Sequence, residues 1–482
     1  MLVDELKKRV VAAMGMKPTA EQENAIEVFA HFLYSRNDYS TMILRGCAGT
    51  GKTTLASAIV KMMDGMSQNV CLLAPTGRAA KVFSLYSGRE ALTIHRKIYK
   101  QKTSDNSIAA FTLNFNKSKY TLFIIDESSM ISNGVGRLSL QTVDGAVFGS
   151  GCLLDDLIQY VYEEGVKCRI LFMGDKAQLP PVGEQESPAL SKGVLEDYGL
   201  DVFEAELNEV VRQGEDSGIL YNATAIRSLN DFMLPKIKLS GFADIRVASG
   251  NDLIESLCES YHSVGMDETM IVTRSNKRAN VYNEGIRRMI LDRDGKMCSG
   301  DMLLIVKNNY FWVENDPECK LPFIANGDRA VVKRVRNEHK MYGFTFADVT
   351  LEFPDYDDYE MTACVIFDAL YTEAPALTHE QSDELFNKVY EDYMLQPNRP
   401  EKRRQIIEQV RRDAHYNAFQ VKYAYAVTCH KAQGGQWSHV YIDQGYMTEE
   451  MFDEDYIHWL YTAFTRATDK LFLVNWPSQQ CC

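Results

Sequence analysis

Along the first half of the chain the apolar residues fall in short unbroken runs: TMILRG (41–46), VCLLAP (70–75), TLFIIDE (121–127) and RILFMGD (169–175). Each run ends in small or acidic residues, and the stretches between them read as helices. Runs without polar alternation mark strands covered on both faces, so the pattern predicts a parallel sheet in an α/β domain. In such sheets ligand-binding groups collect at the carboxyl ends of the strands. The second half repeats the theme with TMIVT (269–273), YAYAVT (423–428), HVYID (439–443) and LFLVN (471–475), which predict a second α/β domain. Between its parts the pattern changes. From about 300 to 375 it is strand-like and aromatic, with a turn signal at Asn326-Gly327-Asp328, which predicts a small inserted β-barrel. From about 378 to 420 it is helical and charged.

Composition refines this picture without redirecting it. At 482 residues the chain is long enough for about three to four units. It is 45% hydrophobic and 24% charged, as a globular protein with full cores is. No apolar run reaches the ~18 residues of a membrane span, and the amphipathic start, MLVDELKKRVVAAMGMK, reads as a helix rather than a signal peptide. The eleven cysteines are scattered with no C-x-x-C pair, so they are expected to be reduced, in a cytoplasmic protein, and no zinc or iron–sulfur site is expected. The net charge of −14 argues against a passive nucleic-acid coat. It leaves room for a channel lined by local Lys and Arg.

The most specific chemistry lies at the end of the first run. Gly46-Cys47-Ala48-Gly49-Thr50-Gly51-Lys52-Thr53 fits G-x-x-x-x-G-K-[ST], with a strand before it and a helix after it. Glycines allow backbone N–H groups to approach phosphates, and the helix N-terminus adds a favourable dipole. Lys52 is expected to reach the β- and γ-phosphates, and Thr53 to hold Mg²⁺ through its hydroxyl. Asp126-Glu127 closes another apolar run. Asp126 is placed to bind the same metal, and Glu127 to polarise an attacking water as general base. An acidic strand end is commonplace alone; beside a phosphate loop it points to ATP·Mg²⁺.

Further segments follow in order: Ala74-Pro75-Thr76-Gly77-Arg78-Ala79-Ala80-Lys81, Thr93-Ile94-His95, Asp126-Glu127-Ser128-Ser129-Met130 and Gly174-Asp175-Lys176-Ala177-Gln178-Leu179-Pro180-Pro181. Later come Val211-Arg212-Gln213, Thr428-Cys429-His430-Lys431-Ala432-Gln433-Gly434 and Tyr461-Thr462-Ala463-Phe464-Thr465-Arg466-Ala467. In this order, from about residue 18 to 475, they resemble the motifs of the superfamily 1 helicases of the RecD/Dda-like B group. The resemblance implies that Gln22 reads adenine and that Gln178 senses the γ-phosphate. It implies that Arg212 and Arg466 reach that phosphate from the second α/β domain. Thr54, Gln433 and Gly434 complete the nucleotide set it implies. The resemblance also implies that Thr76, Thr93, His95, Thr428 and His430 are strand-contacting positions, and hydroxyls and imidazoles at loop tips suit phosphate contacts.

Residues 98–119 set polar turn residues around alternating apolar ones, which predicts a hairpin. By the resemblance it is a strand-separating pin, with Phe111, or else Phe115, as the stacking residue; either ring could instead anchor the hairpin. The basic residues in 277–288 and 402–412 could line a channel, although a charge run is usually a solvated helix face, and the Gly-rich stretch within 131–168 receives no role. The expected fold class is α/β: two RecA-like parallel-sheet motor domains with an inserted hairpin and an inserted SH3-like β-barrel. The expected boundaries are 1–204 for the first domain, 205–299 and 421–482 for the second, and 300–420 for the barrel with its helical segment. The function this implies is an ATP-dependent DNA helicase or translocase acting 5′→3′ on single strands and duplex junctions, working as a monomer. The alternatives are a DNA-stimulated ATPase subunit of a recombination or repair complex, and a nucleotide-switched nucleic-acid-binding module.

Overall fold

The computed structural model describes residues 2–101, 111–134, 149–210, 217–229, 233–314, 316, 321, 323–396 and 403–482. Its first domain carries strands β1 (Ser40–Gly46), β2 (Asn69–Ala74), β3 (Ala91–Thr93), β4 (Tyr99–Gln101), β5 (Phe111–Leu113), β6 (Thr121–Ile125), β7 (Arg169–Gly174) and β8 (Asp201–Leu207). Six of them form a parallel sheet in the order β3-β2-β6-β7-β1-β8. Side chains alternate across a strand, and both faces of this sheet are covered. Met42, Leu44, Ile124 and Leu171 pack on one side with the helices Leu2–Met14, Ala20–Leu33 and Lys52–Gly65. Ile43, Phe123, Ile125 and Phe172 pack on the other with the helix Leu153–Val161. Burial on both faces is why the runs lack alternation. The strand order sets β6, β7 and β1 side by side, so the groups at their carboxyl ends share one crevice.

The second sheet is also parallel, in the order β16-β10-β17-β18-β9, from β9 (Ile245–Ala248), β10 (Thr269–Thr273), β16 (Ala426–Thr428), β17 (Trp437–Asp443) and β18 (Ala467–Val474). Between β10 and β16 the chain builds a closed five-stranded barrel from β11 (Met302–Ile305), β12 (Arg329–Met341), β13 (Phe344–Phe353), β14 (Tyr359–Ile366) and β15 (Phe419–Tyr423). The helices His379–Leu395 and Arg403–Arg411 lie between its last two strands and pack on its outer face around Phe344, Phe346 and Ile366.

Three expectations are corrected. The run 423–428 is two strands: β15 closes the barrel, and β16 starts the return to the second sheet. The boundary at 420/421 therefore falls inside β15. The boundary at 204/205 falls inside β8, which pairs with β1 along its whole length to Leu207. The predicted hairpin is present as the antiparallel pair β4–β5, while 102–110, where a tip would lie, and 135–148 of the Gly-rich connection are outside the described residues.

The barrel rests on the first domain. A Cβ on Gly77 would lie 2.9 Å from Asp328 Oδ1 and 3.0 Å from Tyr356 Oη. Phe111 of the hairpin packs against Tyr310 with tilted rings at 4.5 Å and meets Phe323 edge-on at 5.9 Å between ring centres.

Candidate nucleotide site and adjoining cleft

The phosphate loop leaves β1 at Gly46 and ends at Gly51, whose φ of 84° places it in the left-handed region just ahead of the helix Lys52–Gly65. Gly49 has φ 80°. Both conformations suit glycine, and the tight path turns backbone N–H groups inward. Lys52 Nζ donates to the carbonyls of Gly46 at 2.5 Å and Cys47 at 3.0 Å, across the mouth of the loop. Cys47 N donates to Leu207 O, fixing the loop to the edge strand β8. Thr53 is half-buried and Thr54 exposed at the helix start.

Gln22 is buried and spoken for at both ends of its amide. Its Oε1 accepts from Thr19 N at 3.1 Å, completing a reciprocal cap of the helix Ala20–Leu33. Its Nε2 donates to Thr50 O at 3.1 Å. Here it braces the phosphate loop. The Thr-x-x-Gln spacing at 19–22 is itself the sequence signal for that cap.

Asp126 and Glu127 follow β6. Glu127 has φ 51°, a left-handed conformation that costs a non-glycine residue energy and that recurs at functional turns. Asp126 accepts from Glu127 N at 2.9 Å. Burial, then the neighbouring Glu127 charge, pushes its carboxyl up to about 7, with Lys52 opposing. A half-buried carboxylate this poorly compensated fits a cation, and the oxygen donors of Asp126 and Thr53 suit Mg²⁺.

The loop after β7 is clasped by the second domain. Thr462 Oγ1 accepts from Leu179 N at 2.8 Å, and Gln433 Nε2 donates to Leu179 O at 2.7 Å. His458 Nδ1 lies 2.8 Å from Ala177 O. Tyr461 donates to Asp175 Oδ2 at 2.6 Å and accepts from Ala48 N at 3.1 Å. Within this loop Gln178 is buried, and its Oε1 has no hydrogen-bond partner among the described residues.

Other expected nucleotide residues sit elsewhere. Arg466 is fully buried and donates to Thr462 O, Gly435 O and Thr465 Oγ1, so its hydrogen bonds all stay within its own domain. Arg212 lies outside the described residues. Gln433 makes the seam contact to Leu179. Gly434, at φ 71°, packs so closely that a Cβ would meet Ala79 Cβ and Thr76 Oγ1 at 3.1 Å. Neither makes a hydrogen bond to the phosphate loop among the described residues.

A cavity of about 300 Å³ opens between the two α/β domains and the barrel. It brings together Thr76, His95 and His430, and joins to them Arg78, Arg329 and Lys431. Burial drives His95 down to about 4 and also lowers His430, so both imidazoles are neutral near pH 7. Arg78 stacks 4.4 Å above the Trp437 ring and donates to Gln436 O, while its buried Nε has no hydrogen-bond partner among the described residues. Burial, then Arg329, pulls it down to about 10, so it stays charged. Arg78 and Lys431 lie inside the motif segments and were passed over there in favour of hydroxyls and imidazoles; Arg329 and Trp437 lie just beyond turns. Thr76 and Thr93 spend their hydroxyls capping Ala79 N and Arg96 N, each at 3.2 Å, and Thr428 begins the short helix Cys429–Ala432.

Phe111 is corrected from wedge to anchor. It opens β5 and is 2% exposed against Tyr310 and Phe323, because the hairpin packs against the connection between the barrel strands β11 and β12. Phe115 is 67% exposed, with Lys100 Nζ 4.4 Å over its ring.

Residues 33–184 match a family model described as an AAA domain, and 423–474 match the UvrD-like helicase C-terminal domain. The chain is 25% identical over 295 residues to the ATP-dependent DNA helicase dda of Enterobacteria phage T4, an alignment covering 60% of each chain. It is 28% identical over 166 residues to the ATP-dependent RecD2 DNA helicase of Deinococcus radiodurans, covering 34% of this chain and 19% of that protein. Among solved structures it is similar to a Pif1 helicase from Bacteroides in complex with ADP-AlF3 and ssDNA, with 16% identity, TM-score 0.45, and coverage of 97% of this chain and 95% of that one.

Proposed function

We propose that this chain, which belongs to the superfamily 1 helicases, is an ATP-dependent DNA helicase that moves 5′→3′ along single-stranded DNA. One observation carries the reading: the same two domains that meet at the phosphate loop also enclose the cleft of Thr76, His95 and His430. Any change at the first junction that shifts one domain against the other alters the second, which is how hydrolysis becomes movement.

The proposed roles are these. Lys52 and the loop amides bind the β- and γ-phosphates. Glu127 takes the proton of the attacking water. Gln178 turns its free Oε1 toward the reacting centre. Asp126 and Thr53 would hold Mg²⁺, which when bound offsets phosphate charge. Arg212 and Arg466 supply cations from the second domain; for Arg466 this requires exchanging its carbonyl partners for phosphate oxygens as the domains close. In the cleft, Arg78, Arg329 and Lys431 neutralise strand phosphates, and the neutral His95 and His430 serve as hydrogen-bonding groups. The enzyme acts as a monomer on single strands and forks, in the cytoplasm, and no helix among the described residues is long and apolar enough to cross a membrane.

The test is ATP turnover with and without single-stranded DNA, together with unwinding of duplexes bearing a 5′ or a 3′ overhang. Turnover should rise with single strands and fall to background in Lys52→Ala, while Glu127→Gln should bind ATP and not hydrolyse it. Turnover indifferent to DNA defeats the motor reading. Unwinding only from 3′ overhangs defeats the direction. Stimulated turnover with no unwinding identifies a translocating ATPase instead.

A further inference from the structure

Tyr461 stands five residues before Arg466 in the helix Glu454–Phe464, and neither the nucleotide roles nor the strand roles above use its side chain. It is 1% exposed and projects from the second domain into the first. Its hydroxyl meets two groups there, Asp175 Oδ2 at 2.6 Å and the backbone N–H of Ala48 at 3.1 Å. The direction of both bonds is fixed by chemistry. The Ala48 amide can only donate, so the oxygen of Tyr461 accepts from it. The single hydroxyl proton is then left for the carboxylate of Asp175. Asp175 takes a second donor, Ala177 N at 3.0 Å, on its other oxygen.

Ala48 is the third residue of the phosphate loop, and amides of that loop are what such a site offers to phosphate oxygens. An N–H has one proton. A phosphate oxygen that is to use the Ala48 amide must displace the tyrosine hydroxyl. It has the means, since bonds to an ionised acceptor are roughly twice as strong as neutral ones. The bond to Asp175 does not compete with phosphate and survives.

We propose that Tyr461 is a positioning residue of the nucleotide site: its hydroxyl holds the Ala48 amide until a phosphate oxygen takes it, while its tether to Asp175 persists. Displacement loosens the second domain from the phosphate loop and leaves it hinged on the loop after β7. The next residue, Thr462, grips Leu179 N in that same loop, so the rearrangement is delivered one helical turn from Arg466. The proposal rests on the reading of 46–53 as an ATP site.

The experiment compares the full chain with Tyr461→Phe for binding of ATP and of adenosine, by calorimetry in Mg²⁺ buffer, with melting temperature recorded for both. Phenylalanine keeps the ring and removes the competing oxygen. ATP should bind about two- to tenfold more tightly to the variant, the equivalent of one net hydrogen bond, and adenosine, which has no phosphate, should bind unchanged. Unchanged or weaker ATP binding overturns the proposal, as does an equal change for adenosine, which would mark a general structural effect. Should the variant not fold, 3-fluorotyrosine at position 461 gives a second readout: its fluorine resonance should move with ATP and not with adenosine, and the same response to both overturns the idea. Failure of the underlying reading looks different: the unmodified chain would not bind ATP, or Lys52→Ala would bind it equally well.

Discussion

Phe111→Ala separates an anchor from a wedge. The ring is 2% exposed and sits against Tyr310 and Phe323, with ring centres at 4.5 and 5.9 Å. Truncating a buried phenylalanine to alanine costs about 3–5 kcal/mol. Of that, the two aromatic pairs account for about 0.5–1.5 kcal/mol each. A chain of several domains does not unfold in one step, so the loss should appear first where the hairpin meets the connection between β11 and β12. For a domain of about 200 residues, 1 kcal/mol shifts the melting temperature by roughly 2–4 °C. The first transition should therefore fall by about 6–20 °C. Hydrogen exchange should accelerate at Tyr99, Lys100 and Thr112, whose backbones belong to the β4–β5 pair. Phe111→Leu, which keeps most of the apolar volume, should recover more than half of the loss. Unwinding should fall with stability in Phe111→Ala, and Phe115→Ala, at an exposed ring, should leave the melting temperature within about 1 °C. A Phe111→Ala chain that melts normally, exchanges normally and loses only unwinding would refute the anchor and restore the wedge.

Two further outcomes follow from the cleft. Arg78→Ala should weaken single-strand binding for all sequences alike and lower the slope of log K against log salt by about 1, because one phosphate contact is lost; an unchanged slope in a salt titration by fluorescence anisotropy would remove Arg78 from the strand path. His95 is neutral in the fold and driven from 6.5 to about 4 by burial, so the unfolded chain binds the extra proton between those values. Its contribution to stability is whole above about pH 6.5 and is lost as pH falls toward 4, a loss on the order of 3 kcal/mol at most. Denaturant titrations should show His95→Asn with a flatter acid limb than the parent chain, and identical limbs would mean that His95 titrates normally.

The features legible in the sequence are those whose chemistry is local. A phosphate loop needs its glycines and lysine contiguous, and strands buried on both faces need unbroken apolar runs, so both stood out. Strand order is non-local. Nothing in the runs themselves says that β6, β7 and β1 lie side by side, which is what brings the strand ends that lead to Asp126, Gln178 and Lys52 next to one another. The edge strands β8 and β9, with DVFEAEL and IRVA, carry polar positions because one flank is open, and they escaped notice. The run 423–428 reads as one strand because barrel interior and sheet interior demand the same apolar residues. Phe111 is ambiguous in sequence for a related reason: an aromatic beside a polar excursion looks alike at an exposed tip and at a buried root. Only the partners Tyr310 and Phe323, about 200 residues away in sequence, distinguish the two.

The loop after β7 explains why the two domains act on each other at all. Both main-chain groups of Leu179 are held by the second domain, its N–H by Thr462 and its carbonyl by Gln433. The neighbouring Gln178 keeps a buried Oε1 with no partner among the described residues. An unsatisfied buried acceptor costs about 1–3 kcal/mol, and folding alone gives no reason to retain one when a leucine would fill the space. On the proposed helicase reading that cost would be recovered when a donor comes with the reaction: an attacking water, or an arginine of the second domain drawn in by phosphate. Since the residue beside it is fixed to the second domain through two hydrogen bonds, a shift of that domain would move the loop that carries Gln178, and on the proposed reading satisfying Gln178 and repositioning the domain would be one event.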